Sequence, residues 1–323
     1  MRKLAWTIPA LILPLAACSS GGTAADVSAS ATADSSEITI VASTQVWADV
    51  ADAVTDLDVN PIIQAGAADP HSFEPSASDM ASIEEADIII VGGGGYDSWL
   101  YDSLDAGDTR IIHAMELTGH DHDHDHGSEA EDHSGHDHEA ETEADAHTGH
   151  DHGYAEVDNE HIWYNTGAVS QVAEDLAGKI LELDPAATVT PEAVTERMDD
   201  LHGRIHDLPE ARIAQTEPIA DHLLSHAPMV DSTPAGYRAT TLSEGEPTAA
   251  DVAAFQELIN EGGIDILIYN PQSGAAVGAS LRDLAAERGI AVVEIPETPD
   301  TGENFFDVFT RALDDLAAAA PRA

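Results

Sequence analysis

The chain has 323 residues, 43% of them hydrophobic, and sets 61 acidic side chains against 12 basic ones for a formal net charge of −49. A polyanion of this strength excludes nucleic acid as a partner, and it fits cation attraction and life in high salt equally well. The one Cys excludes an internal disulfide.

That Cys sits at the end of the first feature in chain order. Arg2 and Lys3 precede an apolar run from Leu4 to Ala17, too short to span a bilayer, and small residues lead into Cys18. Residues 1–18 therefore read as a secretory signal. Leu15-Ala16-Ala17-Cys18 is similar to a bacterial lipobox, which implies lipidation of Cys18; an ordinary cleaved signal with a stray Cys is the alternative. Residues 19–36 are rich in Ser, Ala, Gly and Thr, the composition of a flexible tether. The expected location is the outer face of the cell membrane, reached through a lipid anchor.

The next segments alternate. Ile38 to Ala42, Pro61 to Gln64, Asp87 to Val91 and Arg110 to Ala114 have strand composition. Trp47 to Asp56 and a segment opening near Ser76 are helical between them. Gly92 to Gly95 follow a strand, but no Lys-Ser/Thr pair completes a phosphate cradle, so a tight strand-end turn is expected. Trp47, Trp99 and Trp163 read as core aromatics, with Trp163 a candidate shield for His161.

Residues 117–158 then break the pattern. Ten of the 17 His lie here, alternating with Asp and Glu: His120, His122, His124, His126, His133, His136, His138, His147, His150 and His152. Almost no apolar side chain is available to offset chain entropy, so a mobile loop is expected. Solubility alone accounts for Asp and Glu but not for alternating imidazoles, which are donors for borderline ions, zinc first. These ten are candidates for weak metal capture.

The second half resumes the alternation. Gly167 to Leu183 is helical, Pro185 ends it, and Pro191 fits the first turn of another helix to about Leu208. Ile213 to Thr216, Ile264 to Tyr269 and Ile290 to Ile295 are strands; Asp251 to Asn260, Leu281 to Arg288 and Asn304 to Ala320 are helices. The expected architecture is α/β with two similar lobes, 37–185 and 210–323, each a mainly parallel sheet flanked by helices, joined by a rigid helix within 186–209. Tyr237 and Arg238 are expected at a lobe surface or in a local salt bridge.

Four residues stand just beyond strands or loops: His71 in Asp69-Pro70-His71, His161 in Asn159-Glu160-His161-Ile162-Trp163, Glu217 in Thr216-Glu217-Pro218, and Glu297 in Pro296-Glu297-Thr298. Spacing alone does not join them. Taken with the placement of the His-rich segment and with Asn270-Pro271-Gln272, however, they make the chain resemble the zinc/manganese class of solute-binding proteins that serve bacterial ABC transporters. The resemblance covers 37 to 320. It implies a two-lobed monomeric receptor that delivers Zn2+ to an ABC permease, with Mn2+ as the alternative cargo. The implied ligands are His71 and His161 from the first lobe, Glu217 and Glu297 from the second. Asn159-Glu160 departs from the family's Asp-Pro, Glu217 stands where His is common, and Glu297 where Asp is common. Asp300 is an alternative to Glu297, and His222 or His226 to Glu217.

Four protein ligands leave no open position for an activated water, and the chain has no HExxH, Gly-x-Ser-x-Gly or Walker-type loop, so no enzyme is expected. A surface zinc buffer or adhesin is the remaining rival. Ligating imidazoles must be neutral, so binding is expected to weaken below a pH of about 6.5.

Overall fold

The computed structural model describes residues 38–67, 70–105, 107–118 and 159–321. The expected signal, the tether, Cys18 and the ten candidate capture His all lie outside these residues.

The first lobe opens with β1 (Ile40–Thr44), α1 (Gln45–Val54) and β2 (Val59–Ile63). It continues through α2 (Ala77–Glu85), β3 (Ile88–Val91), the short α3 (Ser98–Tyr101) and β4 (Ile111–His113). All strand pairs are parallel, in the order β2-β1-β3-β4. α2 starts sharply because Ser76 and Asp79 form a reciprocal capping box. The four-residue apolar run of β3 is buried on both faces, as a strand covered by helices on each side must be. Ile88 and Ile90 enter the main core, while Ile89 and Val91 enter an outer cluster with Ile83 and Leu100.

Two long helices follow, α4 (Thr166–Leu183) and α5 (Glu192–His206). Asn165 caps α4 by accepting from the amides of Gly167 and Ala168. Pro191 immediately precedes α5 with helical backbone angles. α5 buries Val194, Met198, Leu201 and Ile205, one stripe at helical spacing.

The second lobe repeats the plan with β5 (Ala211–Gln215), α6 (Asp221–Leu224), β6 (Met229–Asp231), α7 (Ala235–Leu242) and α8 (Ala249–Asn260). β7 (Ile266–Tyr269), α9 (Ala276–Glu287), β8 (Ala291–Glu294) and α10 (Phe305–Ala319) complete it. Its parallel sheet has the order β6-β5-β7-β8, the same permutation as the first. In both sheets the order reverses beside the first strand, which places a crevice at the carboxyl ends of the central strands.

The main core does not stop at the lobe boundary. α10 packs against α1 and α5 as well as β8. Phe305, Phe306 and Phe309 join Trp47 and Trp163 in one continuous cluster. The amide of Phe305 donates to the buried Asp49 carboxylate at 2.6 Å. The closing helix thus ties the second sheet to the first helix of the chain.

Several sequence expectations shift. Leu117 packs on the outer cluster and Thr118 Oγ1 lies 3.3 Å from the Tyr101 hydroxyl, so these two residues belong to the folded lobe rather than to the acidic segment. The glycine run is the tight turn expected of it. Gly92 and Gly93 amides donate to Asp97 at 2.6 and 2.9 Å, and a Cβ on Gly93 would meet the Met115 carbonyl oxygen. Trp47 and Trp163 are fully buried; Trp99 is only partly so. Tyr237 is a core residue, 2% exposed, instead of a surface one, while Arg238 does form the local salt bridge, with Asp221 and Asp231.

Candidate metal centre

The expected quartet comes from two short turns of the first lobe and two strand ends of the second. His71 follows β2 on a single 3-10 turn at Pro70–Ser72, and His161 precedes another at Ile162–Tyr164. Glu217 stands two residues beyond β5, and Glu297 three beyond β8. The carboxyl ends of the two sheets therefore present two imidazoles from one lobe to two carboxylates from the other.

The side chains converge. His71 Nε2 lies 3.5 Å from Glu217 Oε1 and 3.4 Å from Glu297 Oε2, and His161 Nε2 lies 3.4 Å from Glu217 Oε1. One donor atom from each of the four lies within 4.8 Å of the other three. His71, His161 and Glu217 line a cleft of about 370 Å³ together with Glu160, Glu244 and Tyr237; Glu297 is not part of that lining. Glu297 and His161 are buried; His71 and Glu217 are partly exposed toward the cleft.

The surrounding hydrogen bonds fix which atoms face inward. Asn159 Oδ1 accepts from the His161 amide at 2.9 Å, so this oxygen is an acceptor and His161 Nδ1, 2.8 Å away, must carry the ring proton. The lone pair of neutral His161 is then on Nε2, the atom that faces the carboxylates and has no hydrogen-bond partner among the described residues. A ring nitrogen oriented this way by its opposite N–H is the usual arrangement of a metal ligand. Asn159 also reaches across the lobes, donating from Nδ2 to the Pro218 carbonyl and to Asp221. On His71, the opposite ring nitrogen Nδ1 lies 3.6 Å from Glu160 Oε1, an ion-pair distance longer than a hydrogen bond.

Asn270, at the end of β7, organises the opposite side. Its Oδ1 accepts from the Gln272 amide, which leaves Nδ2 to donate to Glu217 Oε2 at 2.8 Å and Glu297 Oε1 at 2.6 Å. Each carboxylate thus spends one oxygen on Asn270 and directs the other at the imidazoles. The Tyr96 hydroxyl donates to Glu297 Oε2 at 2.7 Å, and Gln272 Oε1 accepts from the Glu297 and Thr298 amides. Gly278 on α9 keeps the approach to Thr216 and Tyr269 close.

Electrostatics follow from this packing. Burial opposes charge on His71, but the Glu217 and Glu297 carboxylates outweigh it and push His71 up to about 11. Burial also works against ionised Glu217 and Glu297; the two imidazoles override it and hold Glu217 well below the usual range, and His71 foremost holds Glu297 down. Burial pushes Glu160 up to about 7 against the pull of both His. Without an ion, a protonated His71 bridges the two carboxylates.

The alternative residues are elsewhere. His222 Nε2 lies 2.7 Å from the Asn159 carbonyl oxygen, behind His161. His226 belongs to a group with His202 and His206, and Asp300 is outside the quartet. Glu160, Tyr96 and Asn270 were not among the expected site residues. Asn159-Glu160 stood out only as a departure from the family motif, and Asn270 only as part of a matching strand end; nothing in the local sequence marks Tyr96.

A pair of parallel-sheet α/β lobes with a polar crevice between their strand ends defines the class of two-lobed solute-binding proteins. Within it, the chain belongs to the family described as zinc-uptake complex component A periplasmic (ZnuA), whose profile matches residues 40–319. It is 23% identical over 273 residues to the zinc-binding lipoprotein AdcA of Streptococcus pneumoniae strain R6, an alignment covering 80% of this chain and 50% of AdcA. The chain therefore spans about half the length of the curated relatives it matches. Its fold is similar to that of the periplasmic zinc-binding protein TroA from Treponema pallidum, with a TM-score of 0.60, 14% identity, and coverage of 88% of this chain and all of TroA. It is also similar to the Zn(II)-bound ZnuA-like domain of S. pneumoniae AdcA, with a TM-score of 0.54, 18% identity, and coverage of 88% and 100%. Among the described residues, no helix is long and apolar enough to cross a membrane.

Proposed function

We propose that this protein is the zinc receptor of an ABC uptake system and that its cargo is held by His71, His161, Glu217 and Glu297. The observation that carries the reading is a match of lengths. Tetrahedral zinc with bonds of ~2.0–2.2 Å needs donor–donor edges of about 3.3–3.6 Å. Three such edges, at 3.4, 3.4 and 3.5 Å, are already set between the lobes. Zn2+ replaces the proton that His71 holds between the carboxylates and takes over its role of linking the lobes.

A quartet of protein donors leaves zinc no position for an activated water, which supports a receptor rather than a catalyst. Two carboxylates also suit Mn2+. At equal donors the affinity order favours zinc over manganese. The His-rich segment, with His120 to His152, is assigned the weak capture of zinc outside the cleft. Lipid on Cys18 keeps the monomeric receptor at the membrane, where it docks on a permease. A surface buffer or adhesin has no need of a buried, pre-oriented quartet.

Titration calorimetry on the intact chain tests this: one tight zinc per chain is expected, with Mn2+ displaced by Zn2+. A H71A/H161A variant that keeps the tight zinc contradicts it. Excision of residues 119–152 is expected to remove only the weaker equivalents, and unchanged total stoichiometry counts against their assignment. Mass spectrometry of the membrane-extracted protein, looking for an acylated Cys18, tests the anchor.

A further inference from the structure

We infer that His202, His206 and His226 form a second metal site, built of imidazoles alone, where α5 meets the residues following α6, and that it takes a borderline divalent cation of the zinc class. It uses none of the cleft residues and does not depend on the cleft reading.

His202 and His206 are one helical turn apart on α5, which puts both rings on one face. Their Nε2 atoms are 3.2 Å apart, and the rings are near perpendicular at 86°. His226 lies two residues beyond α6, with its ring centroid 5.0 Å from that of His202 and 5.9 Å from that of His206. One nitrogen from each of the three lies within 4.8 Å of the other two. Zinc–imidazole bonds of ~2.0–2.1 Å give a tetrahedral edge of about 3.3–3.4 Å, close to the observed Nε2 separation.

His202 is placed for ligation. Its Nδ1 lies 3.2 Å from Thr166 Oγ1 at the start of α4, and in the tautomer where that hydroxyl accepts, the Nε2 lone pair is directed toward His206.

Imidazoles without a carboxylate select zinc, copper or nickel over manganese or magnesium. Three ligands leave a fourth position for water, and His206 is exposed, so exchange here is faster than in a closed quartet. Because α5 joins the lobes and His226 belongs to the second, an ion at this site staples the linking helix to the second lobe.

The test is histidine footprinting with diethyl pyrocarbonate on the intact chain, read by peptide mass spectrometry with Zn2+ as the probe. Zinc is expected to protect His202, His206 and His226 together, in wild type and in a H71A/H161A background alike, while Mn2+ at the same concentration does not. Because His206 is exposed, H206A is expected to fold and to shift the zinc midpoint for protecting His202 and His226 upward by about 100-fold, one ligand's share of a structural zinc site. H226N is expected to do the same to His202 and His206. A midpoint unmoved by both variants, no protection at millimolar zinc, or protection lost together with the cleft His would each overturn the proposal. An anomalous zinc peak between the three rings in crystals would support it directly.

Discussion

The two sheets share one strand order, yet their carboxyl ends bring opposite chemistry to the cleft. The first lobe supplies imidazoles, with His161 turned by Asn159 of that same lobe and His71 set beside Glu160. The second supplies carboxylates, both clamped by one amide, Asn270. Duplicated architecture therefore does not mean duplicated function. The crevice geometry comes from the fold, whereas the donor type at each strand end comes from a few loop residues. The division also explains how the lobes attract each other without an ion, since a protonated His71 of the first lobe lies against two anions of the second.

The most severe way to break this complementarity is to remove one side. Structural zinc sites are worth roughly 10–16 kcal/mol over four ligands, so about 2.5–4 kcal/mol each. H71A/H161A is therefore expected to weaken zinc by roughly 10⁴-fold or more, measured by competition with a chromophoric chelator. Glu297→Gln, which removes one anion and keeps the shape, is expected to cost about 10²–10³-fold in the same assay. If it costs nothing, the carboxylate lobe does not contribute Glu297.

The organising residues sharpen the comparison without touching the donors. Asn270→Ala frees both carboxylates at once, and Asn159→Ala frees the His161 ring. Each is expected to weaken zinc by about 10–100-fold, the usual effect of losing a group that orients a ligand. Equal losses would mean that both lobes are equally pre-set; a silent Asn270→Ala would mean that the carboxylates hold their positions unaided.

The smallest expected effect is the proton linkage. The sequence alone places the loss of affinity below a pH of about 6.5, the ordinary imidazole value. The carboxylates around His71 move that window up. With His71 at about 11 in the ion-free protein, zinc displaces a proton throughout the neutral range. Affinity is expected to rise with pH by up to about tenfold per unit. Calorimetry in buffers of different ionisation enthalpy should count near one proton released from His71 on binding. The same shift stabilises the ion-free fold: the contribution of His71 is fully present below its unfolded value and is lost as pH rises through about 11. Thermal melts of the ion-free protein scanned from about pH 6.5 to about pH 11 follow that loss, which is spread over the whole interval between the unfolded and folded values.

How much of this was legible beforehand depended on the kind of signal. β3 and β7 are four-residue apolar runs buried on both faces, and composition marks them plainly. β6 has three residues, two of them exposed, and leaves no pattern. α7, with its Gly and two Thr, has weak helix propensity and is held by Tyr237 packing on Phe255, a tertiary effect. α9 begins at Ala276, five residues earlier than apolar periodicity indicates; Gly278 in its first turn has weak helix propensity and is buried against Thr216 and Tyr269. At the site, strand-end His and Glu were legible as candidates and the family motif grouped them. Their organisers were not: Tyr96 is 201 residues from Glu297, and Asn270 is 53 from Glu217. The His202–His206 pair was not singled out in the sequence, although its spacing is helical, and nothing in the sequence brings His226 to it.

The most direct test of the central claim is X-ray absorption at the zinc K-edge on protein carrying one zinc per chain. Four near neighbours are expected, two imidazole nitrogens and two carboxylate oxygens, with the imidazole scattering lost in H71A/H161A. A first shell with more than two imidazoles, or one unchanged by that double variant, would place the tight ion elsewhere and contradict the account.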